Sequence, residues 1–343
     1  MFSKLQDDLD HILLSLTEFK ERLSNKTFFV TGGTGFFGIW IQMTFIHLNE
    51  AWSLNSKMIV LTRNEKKFLE HYPWIANANI SFIEGDVTSF IFPKDPIDFI
   101  IHAATEASVK LNLEEPLVMY DTIVNGTKRL LDLAVYKRVH SFLLISSGAV
   151  YGEQPAEIEK VSEKYNGAPI PSGRSSMYGE AKRMAETMCS AYYNTHKTPV
   201  KIARCFAFVG PYIPLDGRFA VGNFIGNKLK NEEIIIQGDG SPIRSYLYMS
   251  DLVIWLWKIL MIAPSNEPYN VGSDESISIK DLSSRVKSIE DLFKSELLDS
   301  EEKIKTPNRY VPSILKAQTD LGLKVKISLN EGLMRTYNFY KSN

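Results

Sequence analysis

The 343-residue sequence predicts an α/β fold, a doubly wound parallel sheet followed by a smaller C-terminal lobe. Three observations predict it. Apolar runs of strand length alternate with longer stretches of helical period. One run, Phe28-Phe29-Val30-Thr31, leads into Gly32, Gly35 and Gly38, and an apolar stretch of helical length follows from Ile39 to Leu48. After about residue 206, Pro211, Pro214, Gly217, Gly222, Gly226, Gly238 and Gly240 break the pattern into shorter elements.

Bulk properties narrow the class. A 44% apolar content supports a sizeable core, and a net charge of -1 argues against a nucleic-acid binder or a polybasic membrane anchor. Cys189 and Cys205 have no metal-ligand spacing and form no disulfide framework, so a reduced, cytoplasmic protein is expected. No apolar run approaches the ~18 residues of a membrane span.

Asp7, Asp8 and Asp10 interrupt the place where a signal peptide has its apolar core. Leu5, Leu9, Ile12, Leu13, Leu16, Phe19 and Leu23 instead recur at helical spacing. Residues 1–25 therefore read as a helical extension that covers the sheet or a neighbour. The rest of the chain divides at about residue 206 into a main unit, 26–206, and a smaller lobe, 207–343.

The strands expected are Thr27–Thr31, Lys57–Thr62, Ile80–Glu84, Phe99–Ala103, Ser141–Ser146 and Val200–Phe206. Helices fill the gaps, most clearly Pro116–Tyr136 and Ser176–His196. Right-handed crossovers bring the strand C-termini to one edge, where ligands bind.

Strand, glycine turn and helix are what a Rossmann-type unit uses to present backbone N–H groups to a pyrophosphate. The cradle here is Gly32, Thr34, Gly35, Phe36, Phe37 and Gly38. The second strand ends Leu61-Thr62-Arg63 with no acid for the ribose hydroxyls, so Arg63 favours NADP(H) while NAD(H) stays possible. Asp86 and Val87, after the third strand, can border the adenine. Ala103, Ala104 and Thr105, after the fourth, are small enough for close passage of a cofactor. His102 reads as a packed core histidine.

Tyr178 and Lys182 lie four apart at the start of a helix, on one face. An ammonium beside a phenol favours the phenolate, and such a tyrosine can exchange the proton of a hydroxyl while nicotinamide exchanges the hydride. The preceding strand ends in Ser146-Ser147, and a hydroxyl there can bond the substrate oxygen.

Together these segments resemble the extended short-chain dehydrogenase/reductase family, the sugar-nucleotide epimerases, dehydratases, decarboxylases and reductases. The resemblance spans nearly all of residues 26–340, and it implies that 26–206 is a dinucleotide-binding domain that also holds the catalytic residues and that 207–343 is mainly a nucleotide-sugar-binding lobe. It rests on Thr31–Gly38, His102-Ala103-Ala104, Asn125-Gly126-Thr127, Ser147, Tyr178, Lys182 and the segment Arg244–Asp251. Tyr269–Gly272 and the closing Leu321–Leu333 extend it. It implies that Ser147, Tyr178 and Lys182 are catalytic and that Lys182 also holds the nicotinamide ribose. It implies that Arg244 and Arg309 contact the diphosphate of a nucleotide sugar, with Asn223 also on the substrate side. A homodimer through helices Pro116–Tyr136 and Ser176–His196 is implied as well.

Departures from the family pattern bear on the reaction. Dehydratases carry an acidic pair where this chain has Gly148 and Ala149. Glu106, in the loop after the fourth strand, could partly replace it. Ala207 stands where relatives have an asparagine. Arg174 lies in a segment like that of UDP-glucuronate decarboxylases and could meet a carboxylate. The reading is thus an enzyme moving hydride between nicotinamide and sugar C4, a 4-ketosugar reductase or epimerase of activated-sugar biosynthesis. The alternatives are a 4,6-dehydratase or a decarboxylase with recycled cofactor and, from another class, a non-catalytic dinucleotide sensor.

Overall fold

A computed structural model describes residues 2–76, 79–105, 109–173, 175–215, 217, 219–236, 238–290 and 308–342. Its centre is a seven-stranded, wholly parallel sheet. The first six strands are β1 (Thr27–Thr31), β2 (Lys57–Thr62), β3 (Ile80–Glu84), β4 (Phe99–His102), β5 (Ser141–Ser147) and β6 (Val200–Cys205). All six were expected from the sequence, to within a residue at each end.

Two short strands follow, β7 (Phe208–Val209) and β8 (Ile243–Arg244), then β9 (Leu247–Tyr248) and β10 (Pro268–Val271), and last β11 (Ile277–Ser278) and β12 (Arg309–Tyr310). The central order is β10-β6-β5-β4-β1-β2-β3. The chain reverses direction across the sheet between β1 and β4, which opens a crevice at their C-terminal ends. The smaller lobe holds the sheet β11-β8-β12 and the pair β7-β9. β10 comes from beyond residue 206, so a boundary drawn there leaves one strand of the central sheet with the later segment.

Side-chain parity builds the two faces. On β1, Phe28 and Val30 enter one core and Phe29 the other; on β5, Leu143 and Ile145 oppose Phe142 and Leu144. The first face is covered by helices Phe36–Trp52 and Met249–Ile262, the second by Gly126–Lys137 and Met177–His196. Near-continuous burial of the strands is what a parallel sheet covered on both sides requires.

The helix expected over Pro116–Tyr136 is interrupted. Pro116–Tyr120 passes through a π-helical turn at Asp121–Asn125 into the helix Gly126–Lys137. The extra residue re-aims Thr127 towards the sheet, a shift that 3.6-residue periodicity cannot reveal.

The N-terminal extension packs on helices Phe36–Trp52 and Met249–Ile262. Leu5, Leu9, Ile12, Leu16, Phe19 and Leu23 are all buried there. A buried charge also ties it to the end of the chain. Asp8 is 3% exposed and accepts from the Tyr248 hydroxyl at 2.8 Å and from the Arg335 guanidinium. Nearby, Asp251 accepts from the amides of Lys326 and Ile327 at 2.8 and 2.9 Å, with His11 at 3.5 Å. Burial raises the Asp8 carboxyl above its ordinary range, so its ionised form depends on Arg335 and Tyr248. Arg335→Leu leaves that carboxylate without its cation; the urea midpoint should drop by the equivalent of about 3 kcal/mol. A change below about 0.5 kcal/mol would show that the pair does not hold the extension.

Candidate active site

Three glycines at the β1–β4 crevice do three different jobs. Gly32 has φ +69°, and a Cβ on it would lie 2.4 Å from the Ala103 carbonyl oxygen. On Gly38 a Cβ would lie 2.1 Å from the Gly33 oxygen, so that position permits the helix to press against the turn. Around Gly35 the nearest atom to a Cβ is 3.5 Å away, so the space above it is open. Gly35 also precedes helix Phe36–Trp52 with no side-chain cap, and no acid occupies that helix's first turn. An open cradle facing an uncapped helix N-terminus fits a pyrophosphate. Thr34 is exposed at the rim, while Phe36 and Phe37 are half-buried, Phe37 edge-on to Phe208 at 5.0 Å.

The back of the crevice is a directed chain of hydrogen bonds. The Ala104 amide donates to Thr31 Oγ1 at 3.2 Å, and the Thr31 hydroxyl to His102 Nδ1 at 2.7 Å. His102 Nε2 then bonds Thr127 Oγ1 at 3.0 Å, whose own proton goes to the Ile123 carbonyl at 2.6 Å. Each proton has one acceptor only if His102 is neutral and carries its proton on Nε2. Burial, then the Lys182 charge, pushes the imidazole down to about 3. His102 is thus the packed histidine the sequence suggested, and it positions Ala103 and Ala104 against Gly32.

At the adenine end, Arg63 and Asp86 are exposed, and Val87 is buried against Gly126. Hydrogen bonds from Thr88 hold the Asp86 carboxyl below its ordinary range, with a smaller contribution from the Arg63 charge. Arg63 therefore shares its charge with a carboxylate.

Lys182 links the cradle to the reacting end. Its ammonium donates to Thr105 Oγ1 and to the Ile145 carbonyl, both at 2.7 Å. Two of three protons are spent, and one remains for a ligand. Burial brings Lys182 down to about 8. Ser147 accepts from the Ala149 amide at 3.1 Å. Tyr178 is set by Asn112, which accepts from its amide at 3.2 Å and donates to the Ser175 carbonyl at 2.8 Å.

One expectation fails here. Lys182 was expected to lower the Tyr178 phenol, but burial raises it, and the lowering influence is the Ser147 hydroxyl. The reason is geometric: the Lys182 ammonium is turned to Thr105 and β5.

A buried network beneath these residues was not legible in the sequence. Glu186, one turn beyond Lys182, accepts from Ser146 Oγ at 2.5 Å and from Arg204 Nη2 at 2.7 Å. Arg204 donates to the Tyr151 hydroxyl at 2.9 Å, and Tyr151 to Asn270 Oδ1 at 2.7 Å. The one available signal was Glu186 four residues after Lys182, on the same helix face. Tyr310 was also missed, although its neighbour Arg309 was singled out. The Tyr310 hydroxyl lies 3.3 Å from Ser147 Oγ.

On the smaller lobe, Tyr310 pairs with Arg244 and Arg309 with Ile243. Arg244 donates to the carbonyls of Ile243 and Asn308 at 2.8 and 3.0 Å, and burial lowers it. Among the described residues neither arginine has a carboxylate partner. Two such cations beside a chamber suit a diphosphate. Asn223 is half-buried on helix Ala220–Lys230, near Gly217. Glu106 and Arg174 lie outside the described residues. No group of three or more potential metal ligands occurs among the described residues.

Comparison with known proteins agrees with this geometry. The NAD dependent epimerase/dehydratase family matches residues 28–272. UDP-glucuronic acid decarboxylase 1 of Xenopus tropicalis is 31% identical, over 99% of this chain and 80% of that protein. UDP-glucuronic acid decarboxylase 6 of Arabidopsis thaliana is 34% identical, over 90% and 87%. UDP-glucose 4-epimerase of Thermotoga maritima, solved with UDP-glucose, superposes with TM-score 0.77 at 25% identity, over 92% of this chain and 99% of that one. UDP-glucuronic acid 4-epimerase of Bacillus cereus, solved with UDP-glucuronic acid and NAD, gives 0.75 at 25%, over the same shares.

The His102 chain makes an acid-stability prediction. The folded value lies below the ordinary 6.5, so the unfolded chain binds the proton more readily. The contribution to stability is full above pH 6.5 and lost as pH falls towards 3, by up to about 1.4 kcal/mol per pH unit. Urea midpoints of His102→Gln measured from pH 7 to 4 should lack this part of the slope. An unchanged slope would mean that His102 is not the group being protonated.

Proposed function

The chain belongs to the NAD dependent epimerase/dehydratase family, the nucleotide-sugar oxidoreductases of the extended short-chain dehydrogenase/reductase class, and we propose that it works at C4 of a hexosyl unit as an epimerase or 4-ketosugar reductase. The observation that carries this reading is the meeting of Ser147 with Tyr178, beside Lys182, at the crevice that holds the glycine cradle. Bound there, a nicotinamide dinucleotide supplies the hydride acceptor or donor.

The other roles fall to the chain's own residues. In the oxidising direction the ionised Tyr178 oxygen takes the proton of the C4 hydroxyl, and the Ser147 hydroxyl donates to that same oxygen. In the reducing direction Tyr178 returns the proton. The free ammonium proton of Lys182 bonds a ribose hydroxyl, and the group that favours the Tyr178 phenolate is the Ser147 hydroxyl. Arg244 and Arg309 hold the diphosphate, with Asn223 on the sugar-nucleotide side.

Dehydration loses support at the residue after Ser147. A Cβ on Gly148 would lie 2.6 Å from the Phe206 ring, so an acid side chain cannot stand there without moving that ring. A second reading, decarboxylation of UDP-glucuronic acid, is favoured by the relatives of that name. It shares the first step, because a C4 ketone lies β to the C6 carboxylate, and such an acid loses CO2 without a further side-chain acid. Incubation with UDP-glucose, UDP-glucuronic acid and 4-keto sugars, followed by NMR, should give a C4 epimer or a reduced alcohol. Release of CO2 selects the second reading. Tyr178→Phe should lower kcat by about 10³-fold while dinucleotide binding persists; undiminished turnover would remove Tyr178 from the chemistry, and no turnover on any substrate by the native chain would support a sensor.

For the dinucleotide itself we take NAD(H), the form held by the Bacillus cereus neighbour, over the NADP(H) that Arg63 suggested. The support is that Arg63 shares its charge with Asp86. NADH should bind at least as tightly as NADPH by calorimetry. NADPH binding tenfold tighter, with the advantage lost in Arg63→Ala, would restore the 2′-phosphate reading.

We also propose a homodimer. Leu113, Leu117, Val118 and Tyr120 and, on the neighbouring helix, Met184 are exposed, Leu117 at 70%. Light scattering at micromolar concentration should give twice the chain mass; a monomer would refute it.

A further inference from the structure

Tyr310 lies outside every role assigned above, yet its hydroxyl sits in the reacting chamber. Its ring packs against Phe206 at 4.6 Å between centroids, the two planes tilted by 38°. Its oxygen would stand 2.8 Å from a Cβ on Gly148, and the Phe206 ring closer still. Glycine after Ser147 is therefore the condition for this phenol to be there. The segment that carries it is clamped. Val311 donates to Gln154 Oε1 at 2.9 Å and accepts from the Val161 amide at 2.9 Å, while Ser313 donates to the Val161 carbonyl at 2.8 Å. The Tyr310 hydroxyl is thereby placed by the bonds that hold its segment to Gln154 and Val161.

We propose that Tyr310 is a positioning residue for Ser147: with the Ala149 amide it fills both acceptor positions of the Ser147 hydroxyl and leaves that hydroxyl's proton to point at Tyr178 and the substrate oxygen. The proposal rests on the C4 chemistry above for its consequence, not for its geometry. Ser147 Oγ has two lone pairs and one proton. The Ala149 amide, 3.1 Å away, can only donate. The phenol, at 3.3 Å, can donate or accept. If it donates, both lone pairs are filled and Ser147 becomes an obligate donor, which suits a C4 ketone or alkoxide. If it accepts, it must pass its own proton to the Cys205 carbonyl, which lies farther off at 3.5 Å.

The shorter of the two distances, 3.3 Å to Ser147 Oγ against 3.5 Å to the Cys205 carbonyl, favours the first arrangement. Burial raises both phenols. The charged and titratable groups around the pair are Lys182 on the Tyr178 helix, Cys205 on β6 and Arg244 on β8. The Ser147 hydroxyl lowers both phenols and Cys205 raises both, while Tyr178 raises and Arg244 lowers Tyr310.

The test needs no substrate. Protein grown with 3-fluorotyrosine, whose phenols ionise at lower pH, is titrated by 19F NMR, with the Tyr178 signal identified by its loss in Tyr178→Phe. Tyr310→Phe keeps the ring and its packing and removes one oxygen, and an unchanged thermal midpoint confirms the fold. The Tyr178 midpoint should rise by about one pH unit in Tyr310→Phe, as expected for losing a hydrogen bond to a charged group. It should rise as much in Ser147→Ala, and the double variant should add nothing. A midpoint that falls in Tyr310→Phe means that Ser147 had been donating to Tyr310, and overturns the proposal; so does no change. Turnover separates the two readings. If Tyr178→Phe stays active on nucleotide sugars while Tyr310→Phe shifts the titration, the C4 reading falls and the positioning role stands.

Discussion

The Glu186–Arg204 ion pair is the constraint on which the candidate site depends. It joins the helix that carries Tyr178 and Lys182 to β6, and through Ser146 it reaches the residue beside Ser147. Through Tyr151 and Asn270 it reaches β10, and Asn270 goes on to bond the carbonyls of Val161 and Ser313. Six segments separated in sequence are thus set against one another by directional bonds: the Tyr178 helix, β6, the end of β5 with Tyr151, β10, Val161 and Ser313. A buried ion pair is weak evidence for stability, because desolvation offsets much of the attraction. Its value here is placement: hydrogen bonds of fixed direction determine where a hydroxyl sits in a way that apolar contact does not.

Above that network the chamber divides into two halves. The dinucleotide half is shaped by absences of side chain at Gly32, Gly35 and Gly38 and by the neutral His102 chain behind them. The half proposed for the sugar is shaped by what Gly148 admits, the tilted Phe206–Tyr310 ring pair, and by two arginines that have no carboxylate partner among the described residues. Lys182 stands between, bonded to Thr105 of the first half and to β5 of the second. Hydride chemistry needs both halves held rigidly, since misplacement of reacting groups by an ångström is costly in rate.

Most of the fold was legible because parallel strands buried on both faces read as apolar runs, and six of the seven central strands were read that way. The seventh, β10, was recognised as a segment but not as sheet, since it is short and arrives after the pattern has loosened. The π turn at Asp121–Asn125 was invisible, as its cause is tertiary: Thr127 meeting His102. Tyr178, Lys182 and Ser147 were found because their spacing has a chemical meaning. Tyr310, Arg204 and Asn270 were not, because each acquires its role from a partner on another element: Ser147 for Tyr310, Glu186 and Tyr151 for Arg204, and Tyr151 for Asn270. The expected effect of Lys182 on Tyr178 failed for a related reason. Spacing puts two residues on one helix face, but the direction of an ammonium is set by the acceptors it finds.

The central claim is that hydride leaves and returns to sugar C4 in this chamber. UDP-glucose and UDP-glucuronic acid carrying deuterium at C4 can each be mixed with the protein at one equivalent of dinucleotide, and the dinucleotide recovered for mass analysis. In a rapidly quenched single turnover the reduced dinucleotide should be one mass unit heavier than that formed from unlabelled sugar, and the epimer should carry the label at C4; this is the result the account predicts. Product formation with the label lost to water, or with no deuterated reduced dinucleotide at any time, would contradict it.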